Sequence, residues 1–176
     1  MDVRRRSEGR GVLLLLVVAV LILGACSRTP KLEGRVTDTA HVLSTIDNDR
    51  ISHMLATYEA ETSHQLAVLT VPSIDGESIE SFSLRVANDW RLGRKGVNNG
   101  ILVILSMRER AARIELGKGF EPYISDAKAQ EIMNESMVPA FVRAQYAAGI
   151  EAGLSRLMAE GRKFVVSGVT TSEAQK

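Results

Sequence analysis

The residues of this chain best suited to chemistry are oxygen-bearing side chains beside tight turns, and the chemistry they suit is that of a hard cation. Asn98 and Asn99 put two amide oxygens directly before an apolar run, and Gly100 allows the sharp geometry that converging ligands need. Asp38, in an irregular stretch, could add a carboxylate from elsewhere in the chain. Glu121, just past Gly117-Lys118-Gly119, could add a second at the same end of the sheet. Calcium or magnesium takes several such oxygens. A plainer alternative stands beside this one: Asn-Asn-Gly is also a turn favoured for its backbone angles, and Asp38 could simply stitch its own loop. Lys118 between two glycines could serve a phosphate, but it opens no helix, which weakens an anion site there.

Other chemistries fail on residue type or spacing. His41, His53 and His64 show no ligand spacing, and the single cysteine cannot join them in a zinc site. His53 lies off the apolar stripe of its helix and reads as solvated. Gly76-Glu77-Ser78-Ile79-Glu80 imitates a nucleophile elbow but has Glu where the second glycine is required, so Ser78 reads as a helix cap. Gly93–Gly100 lacks the Gly-Lys-Ser/Thr ending of a phosphate-binding loop.

The elements that must position these residues follow from periodicity. Ile101–Leu105 is a continuous apolar run, as expected of a strand buried on both faces. Beyond the short polar segment Met107–Arg110, Ala112, Ile114 and Leu116 alternate with Arg113 and Glu115, which predicts an antiparallel partner nearer the sheet edge. The Asn-Asn-Gly and Gly-Lys-Gly segments then meet at one end of the sheet. Ser44 and Asp47 predict the start of a helix running to about Thr62, with Ile51, Met54, Leu55 and Tyr58 inward. Gln65–Val71 reads as a strand, and Ile79, Phe82, Val86 and Trp90 as the stripe of a second helix ending at Leu92-Gly93. Strand, helix, strand predicts a parallel pair with a right-handed crossover. A third helix is expected from Ser125 to near Pro139 and a fourth from about Gln145 to Phe164. Gly149 and Gly153, four apart on the fourth, suggest close packing. The fold class is α/β: a three-layer α/β/α sandwich on a small mixed sheet, a parallel βαβ unit plus an antiparallel hairpin.

The first residues stand apart from that domain. Arg4, Arg5, Arg6 and Arg10 form a basic region, and the apolar stretch Val12–Leu23 is shorter than the roughly 20 residues of a bilayer span. Leu23-Gly24-Ala25-Cys26 follows, holding the only cysteine. This resembles the lipobox of bacterial lipoproteins, in which the cysteine is lipidated and becomes the mature N-terminus. The division expected is a leader over 1–25, lipidated Cys26 and a polar tether over 26–34, the folded domain over 35–164 and a flexible tail over 165–176. Ser27 rather than Asp follows the cysteine, and by resemblance to lipoprotein sorting in Gram-negative bacteria this favours the outer over the inner membrane. The anchor would face the periplasm. The leader carries four Arg against Asp2 and Glu8, so its removal takes the net charge from +1 to −1. Nothing in that balance favours nucleic acid.

The chain resembles the TPM domain family over about Arg35 to Met158. The resemblance rests on Val36-Thr37-Asp38-Thr39-Ala40 with Leu43-Ser44, Trp90-Arg91-Leu92-Gly93, Asn98-Asn99-Gly100-Ile101-Leu102 and Glu115-Leu116-Gly117-Lys118-Gly119-Phe120-Glu121. Ser125-Asp126-Ala127, Val138-Pro139-Ala140-Phe141 and Tyr146-Ala147-Ala148-Gly149-Ile150 continue it in order. It implies an α/β/α sandwich carried outside the cytoplasm or tethered to a membrane, divalent-cation binding in loops at one sheet end, and phosphatase activity in some plant members. Many members have Asp where this chain has Asn98, and losing that carboxylate weakens any cation site. It leaves Asp38, Glu121 and Glu115 as acidic candidates, although Glu115 also reads as a cross-strand partner of an Arg or Lys.

Two functions compete. One is a lipid-anchored binding module that assists assembly or repair of envelope complexes through a protein partner, any bound ion being structural. The other is a divalent-metal-dependent phosphatase with Lys118 or Arg94 countering phosphate charge. No complete catalytic set is visible, which favours the first.

Overall fold

The structure, a computed structural model, describes residues 28–173, with side chains as far as Lys163. Cys26 and the leader expected over 1–25 lie outside the described residues.

Four strands form one mixed sheet in the order β1-β2-β3-β4. β1 (Val36–Asp38) and β2 (Gln65–Val71) are parallel, as are β2 and β3 (Gly100–Ser106), while β4 (Ala111–Leu116) returns antiparallel to β3. The expected βαβ unit and hairpin are both present. β1 is a strand that hydrophobic pattern did not reveal. Three residues are too few to show a period, and β1 is held by its register against Val68, Leu69 and Thr70.

Among the described residues one face of the sheet carries a single helix, α2 (Ile79–Asp89), whose Phe82 and Val86 pack on Leu69, Leu102 and Ile104. The other face carries α1 (Thr45–Thr62), α3 (Asp126–Ile132), the short α4 (Val138–Val142) and the long α5 (Tyr146–Glu173), closed over Val68, Val103 and Ile114. This is the three-layer sandwich. Each of α1, α2 and α3 begins on a serine whose hydroxyl accepts a backbone N–H: Ser44 from Asp47, Ser78 from Ser81 and Ser125 from Lys128.

Two boundaries differ from expectation. Helical structure does not stop at Pro139; a π-helical turn over Met133–Met137 takes up the register change, and Pro139 lies in the first turn of α4, where its missing N–H costs nothing. α5 runs past Phe164 to Glu173. Its glycines do permit close packing: a Cβ on Gly153 would stand 2.4 Å from Met137 Cγ, and one on Gly149 2.6 Å from a Phe141 ring carbon.

The tether is not wholly free of the domain. The Trp90 indole N–H donates to the Pro30 carbonyl at 2.8 Å, and Arg85 Nη1 donates to Thr29 Oγ1 at 2.7 Å. The chain is therefore stitched to α2 from Thr29 onward.

Candidate functional site

The two glycine-containing loops do meet at one end of the sheet. Gly117 N–H donates to the Gly100 carbonyl at 2.8 Å and Gly119 N–H to the Asn98 carbonyl at 3.1 Å. The approach is so close that a Cβ on Gly117 would sit 2.2 Å from the Asn98 oxygen, and one on Gly119 2.2 Å from the Val97 oxygen. Only glycine fits there. Asn98 takes a left-handed φ of 53°, a conformation Asn tolerates better than most residues.

Asn99 is buried, and its amide holds the loop together. Oδ1 accepts from Arg94 N–H at 2.9 Å, while Nδ2 donates to the Ser63 carbonyl at 2.9 Å. Gln65 adds a parallel stitch, its Oε1 accepting from Gly93 N–H at 2.8 Å. The side chain of Asn98 has no hydrogen bond among the described residues and lines a groove of about 350 Å³ with Leu84, Asn88, Glu115 and Lys118. Glu121 follows the glycine pair as an exposed residue outside that lining. Glu115 faces α2 but is no cross-strand partner: it accepts from Arg113 Nε, two residues back on its own strand, and from Ser83 Oγ, each at 2.8 Å. Its cross-strand neighbour is Leu102.

Asp38 is not part of this constellation. Its register against Thr70 puts it at the opposite end of the sheet from Gln65 and Gly100, about 16 Å of strand away. There its carboxylate accepts from the Thr70 hydroxyl, from Val42 N–H at 3.2 Å and from Leu43 N–H at 2.9 Å, fixing the turn into α1. The structure thus brings Asn98, Asn99 and Glu121 to one end and leaves Asp38 at the other. Among the described residues no group of three or more His, Cys, Asp or Glu side chains converges as a metal site would require. The side-chain oxygens in the groove beside Gly100 include those of Asn98 and of Glu115, the latter already accepting from Ser83 and Arg113, with the Lys118 ammonium in the same lining.

Two polar clusters escaped sequence reasoning. Glu109, in the β3–β4 turn, accepts from the Ser106 hydroxyl, from Ser73 Oγ at 2.7 Å and from Ile74 N–H at 3.3 Å; the hydroxyl donors push its carboxyl down to about 2. His64 is fully buried, its Nδ1 sharing a 2.8 Å hydrogen bond with the Tyr58 hydroxyl, and burial pushes the imidazole down to about 4 and the phenol up to about 12. The signal for His64 was its place between a helix end and an apolar strand. His53 is exposed on α1, as read.

The sequence model of the TPM domain family matches residues 36–160. The N-terminal domain of a Porphyromonas gingivalis protein, solved by NMR, is 30% identical, with a TM-score of 0.69 over 74% of this chain and 83% of that one. The BA42 protein of Bizionia argentinensis (15% identical, TM-score 0.61, 70% of this chain and 83% of that one) shares the fold. So does the N-terminal domain of cg2496 from Corynebacterium glutamicum (20% identical, TM-score 0.55, 77% and 82%). No curated protein matches the chain.

Proposed function

The chain belongs to the TPM domain family, and from that premise we propose that it is a lipid-anchored, extracytoplasmic binding module serving assembly or repair of envelope complexes. The observation that carries this reading is the commitment of the candidate ligands to architecture. The Asp38 carboxylate is spent on the Val42 and Leu43 amides at one sheet end, and the Asn99 amide on Arg94 and Ser63 at the other. A hydrolytic centre needs its acid and its metal oxygens within one site.

The anchoring half of the proposal is supported by how the chain enters the domain. Thr29 and Pro30, which follow Cys26 in sequence by three and four residues, are stitched to the C-terminal half of α2. Arg91, Arg94 and Lys95 follow α2 directly, and Lys118 joins them through the Gly119–Asn98 contact; all four are exposed and have no carboxylate partner among the described residues. A cationic end beside a lipid anchor suits an anionic leaflet. Among the described residues no helix is long and apolar enough to cross a membrane; in this proposal attachment is assigned to Cys26.

The test pairs two assays. Crosslinking of the full chain in envelope fractions should capture the same protein partner reproducibly, and purified protein should show no calcium- or magnesium-dependent phosphatase turnover. Divalent-dependent turnover abolished by Asn98→Ala would establish the phosphatase instead.

A further inference from the structure

β4 is an edge strand, and its hydrogen-bonding pattern tells which of its backbone groups are unused. In an antiparallel pair, residues that exchange bonds with the partner strand alternate with residues whose N–H and C=O point away. The Gly117–Gly100 bond fixes the phase, so Glu115, Arg113 and Ala111 bond inward to Leu102, Ile104 and Ser106. Ala112, Ile114 and Leu116 therefore aim their N–H and C=O outward, and none of these groups has a hydrogen-bond partner among the described residues.

That edge does not open onto a flat surface. A groove of about 560 Å³ begins at the β3–β4 turn, with Ala112, Met133 and Phe141 in its lining and Arg110 at its mouth. A second of about 300 Å³ continues it between Ile114 and α3, sharing Gln130 and Met133 with the first. The result is a furrow with a strand edge for one wall and α3 with the π-turn for the other. The first groove is mainly apolar, while Arg113, Asp126 and Gln130 make the second more polar. Arg110 is exposed and has no carboxylate partner among the described residues.

We propose that this furrow binds an extended, acidic-apolar segment of a partner protein, which adds to β4 as a fifth strand. The claim rests on the binding-module reading above and supplies the chemistry of the partner. Outward-facing main-chain groups in a row are hydrated in the free chain and offer a template to another extended backbone, and strand addition uses such groups for affinity and alternate side-chain pockets for selection. Alternate apolar side chains of the segment rest on Ala112, Met133 and Phe141. A carboxylate near one end meets Arg110. A second copy of this chain fits less well. The two-fold axis of an antiparallel β4–β4 pair would run perpendicular to the sheet, bringing the second α3 to the same face as the first, and both helices would occupy the one furrow.

The test is a selection of random phage-displayed dodecapeptides on the full chain, followed by titration of the enriched peptides. Expected are peptides alternating apolar residues with at least one Asp or Glu, and slowed amide exchange at Ala112, Ile114 and Leu116 on binding. Ala112→Pro removes an outward N–H and leaves the β3–β4 ladder intact, so it should weaken binding by about tenfold, as one or two lost main-chain bonds would. Arg110→Glu should weaken acidic peptides comparably, and unchanged circular dichroism will show that both variants fold. Should Ala112→Pro fail to fold, Arg110→Glu and the exchange pattern decide. Absence of enriched peptides, equal binding to both variants, or a concentration-dependent dimer in sedimentation would overturn the proposal. Envelope crosslinks that persist unchanged in Ala112→Pro would keep the binding module and remove this site.

Discussion

The Tyr58 hydroxyl meets Nδ1 of His64 at 2.8 Å inside the core, where α1, β2 and α5 converge, and a Cβ on Gly161 would stand 2.1 Å from that hydroxyl. Helix α5 can pass over the pair only because residue 161 is glycine. The edge-on packing of the His64 ring against Phe120, with centroids 4.8 Å apart, ties the same pair to the turn after β4. A polar pair thus connects two helices, the sheet and the turn after β4.

His64 makes folding pH-dependent in a definite direction. Burial lowers its pKa from 6.5 to about 4 in the folded chain, so the unfolded chain binds more protons between those values. Stability is fully present above pH 6.5 and is lost as pH falls through about 4. The shift corresponds to a loss of up to about 3 kcal/mol. Denaturant unfolding followed by circular dichroism from pH 7 to 4 should show that decline, and His64→Phe should flatten it while lowering stability at pH 7. A slope retained in His64→Phe would move the cause elsewhere.

The glycine pair that joins the two loops should be intolerant. In Gly117→Ala the new methyl would stand 2.2 Å from the backbone oxygen of Asn98, which no rotamer can relieve. We expect a loss of about 3 kcal/mol, read as a lowered midpoint in urea. Gly76→Ala makes the contrast. Its Cβ would meet nothing within 4 Å, and only the left-handed backbone at φ +84° opposes it. That cost should be about 1 kcal/mol.

Much of this architecture was legible in the chain, and the reason lies in pattern. β2 and β3 are runs long enough to declare themselves, the serine caps mark α1 and α2, and the convergence of Asn-Asn-Gly with Gly-Lys-Gly follows from the hairpin alone. The fate of Asp38 did not follow. Its position depends on β1 pairing parallel to β2, a contact between residues 32 apart in sequence through a strand too short to show a period. Nor could composition tell that Asn99 would be buried and spent on Arg94 and Ser63, because an amide reads equally as ligand or stitch until its neighbours are known. Glu109 was invisible for the same reason: Ser73 and Ser106 reach it from two different strand ends.

Asn98 offers a way to change cation affinity at a single atom. With the Glu115 carboxylate of this groove already engaged by Arg113 and Ser83 and Lys118 in the same lining, calorimetry should find no saturable calcium or magnesium binding at millimolar ion. Asn98→Asp replaces a neutral oxygen donor by a charged one in the groove beside Lys118, and should raise affinity for calcium by about tenfold or more. Saturable binding in the unaltered chain would show that the Asn98 loop recruits ligands beyond Asn98 and Glu115.

The cationic end gives the last prediction, and it separates electrostatics from lipidation. Arg91, Arg94, Lys95 and Lys118 lie at the end of the domain to which Thr29 and Pro30, shortly after Cys26 in sequence, are stitched. Each basic residue near an anionic surface contributes about 1 kcal/mol, screened by salt. Unlipidated protein should therefore sediment weakly with vesicles rich in phosphatidylglycerol, lose that association when sodium chloride is raised to 0.5 M (a Debye length of about 4 Å), and ignore phosphatidylcholine vesicles. Reversing Arg94 and Lys95 to Glu should abolish the association while leaving thermal unfolding nearly unchanged, since both side chains are exposed and without a carboxylate partner among the described residues. Association that survives the double reversal would mean that another face of the domain meets the lipid.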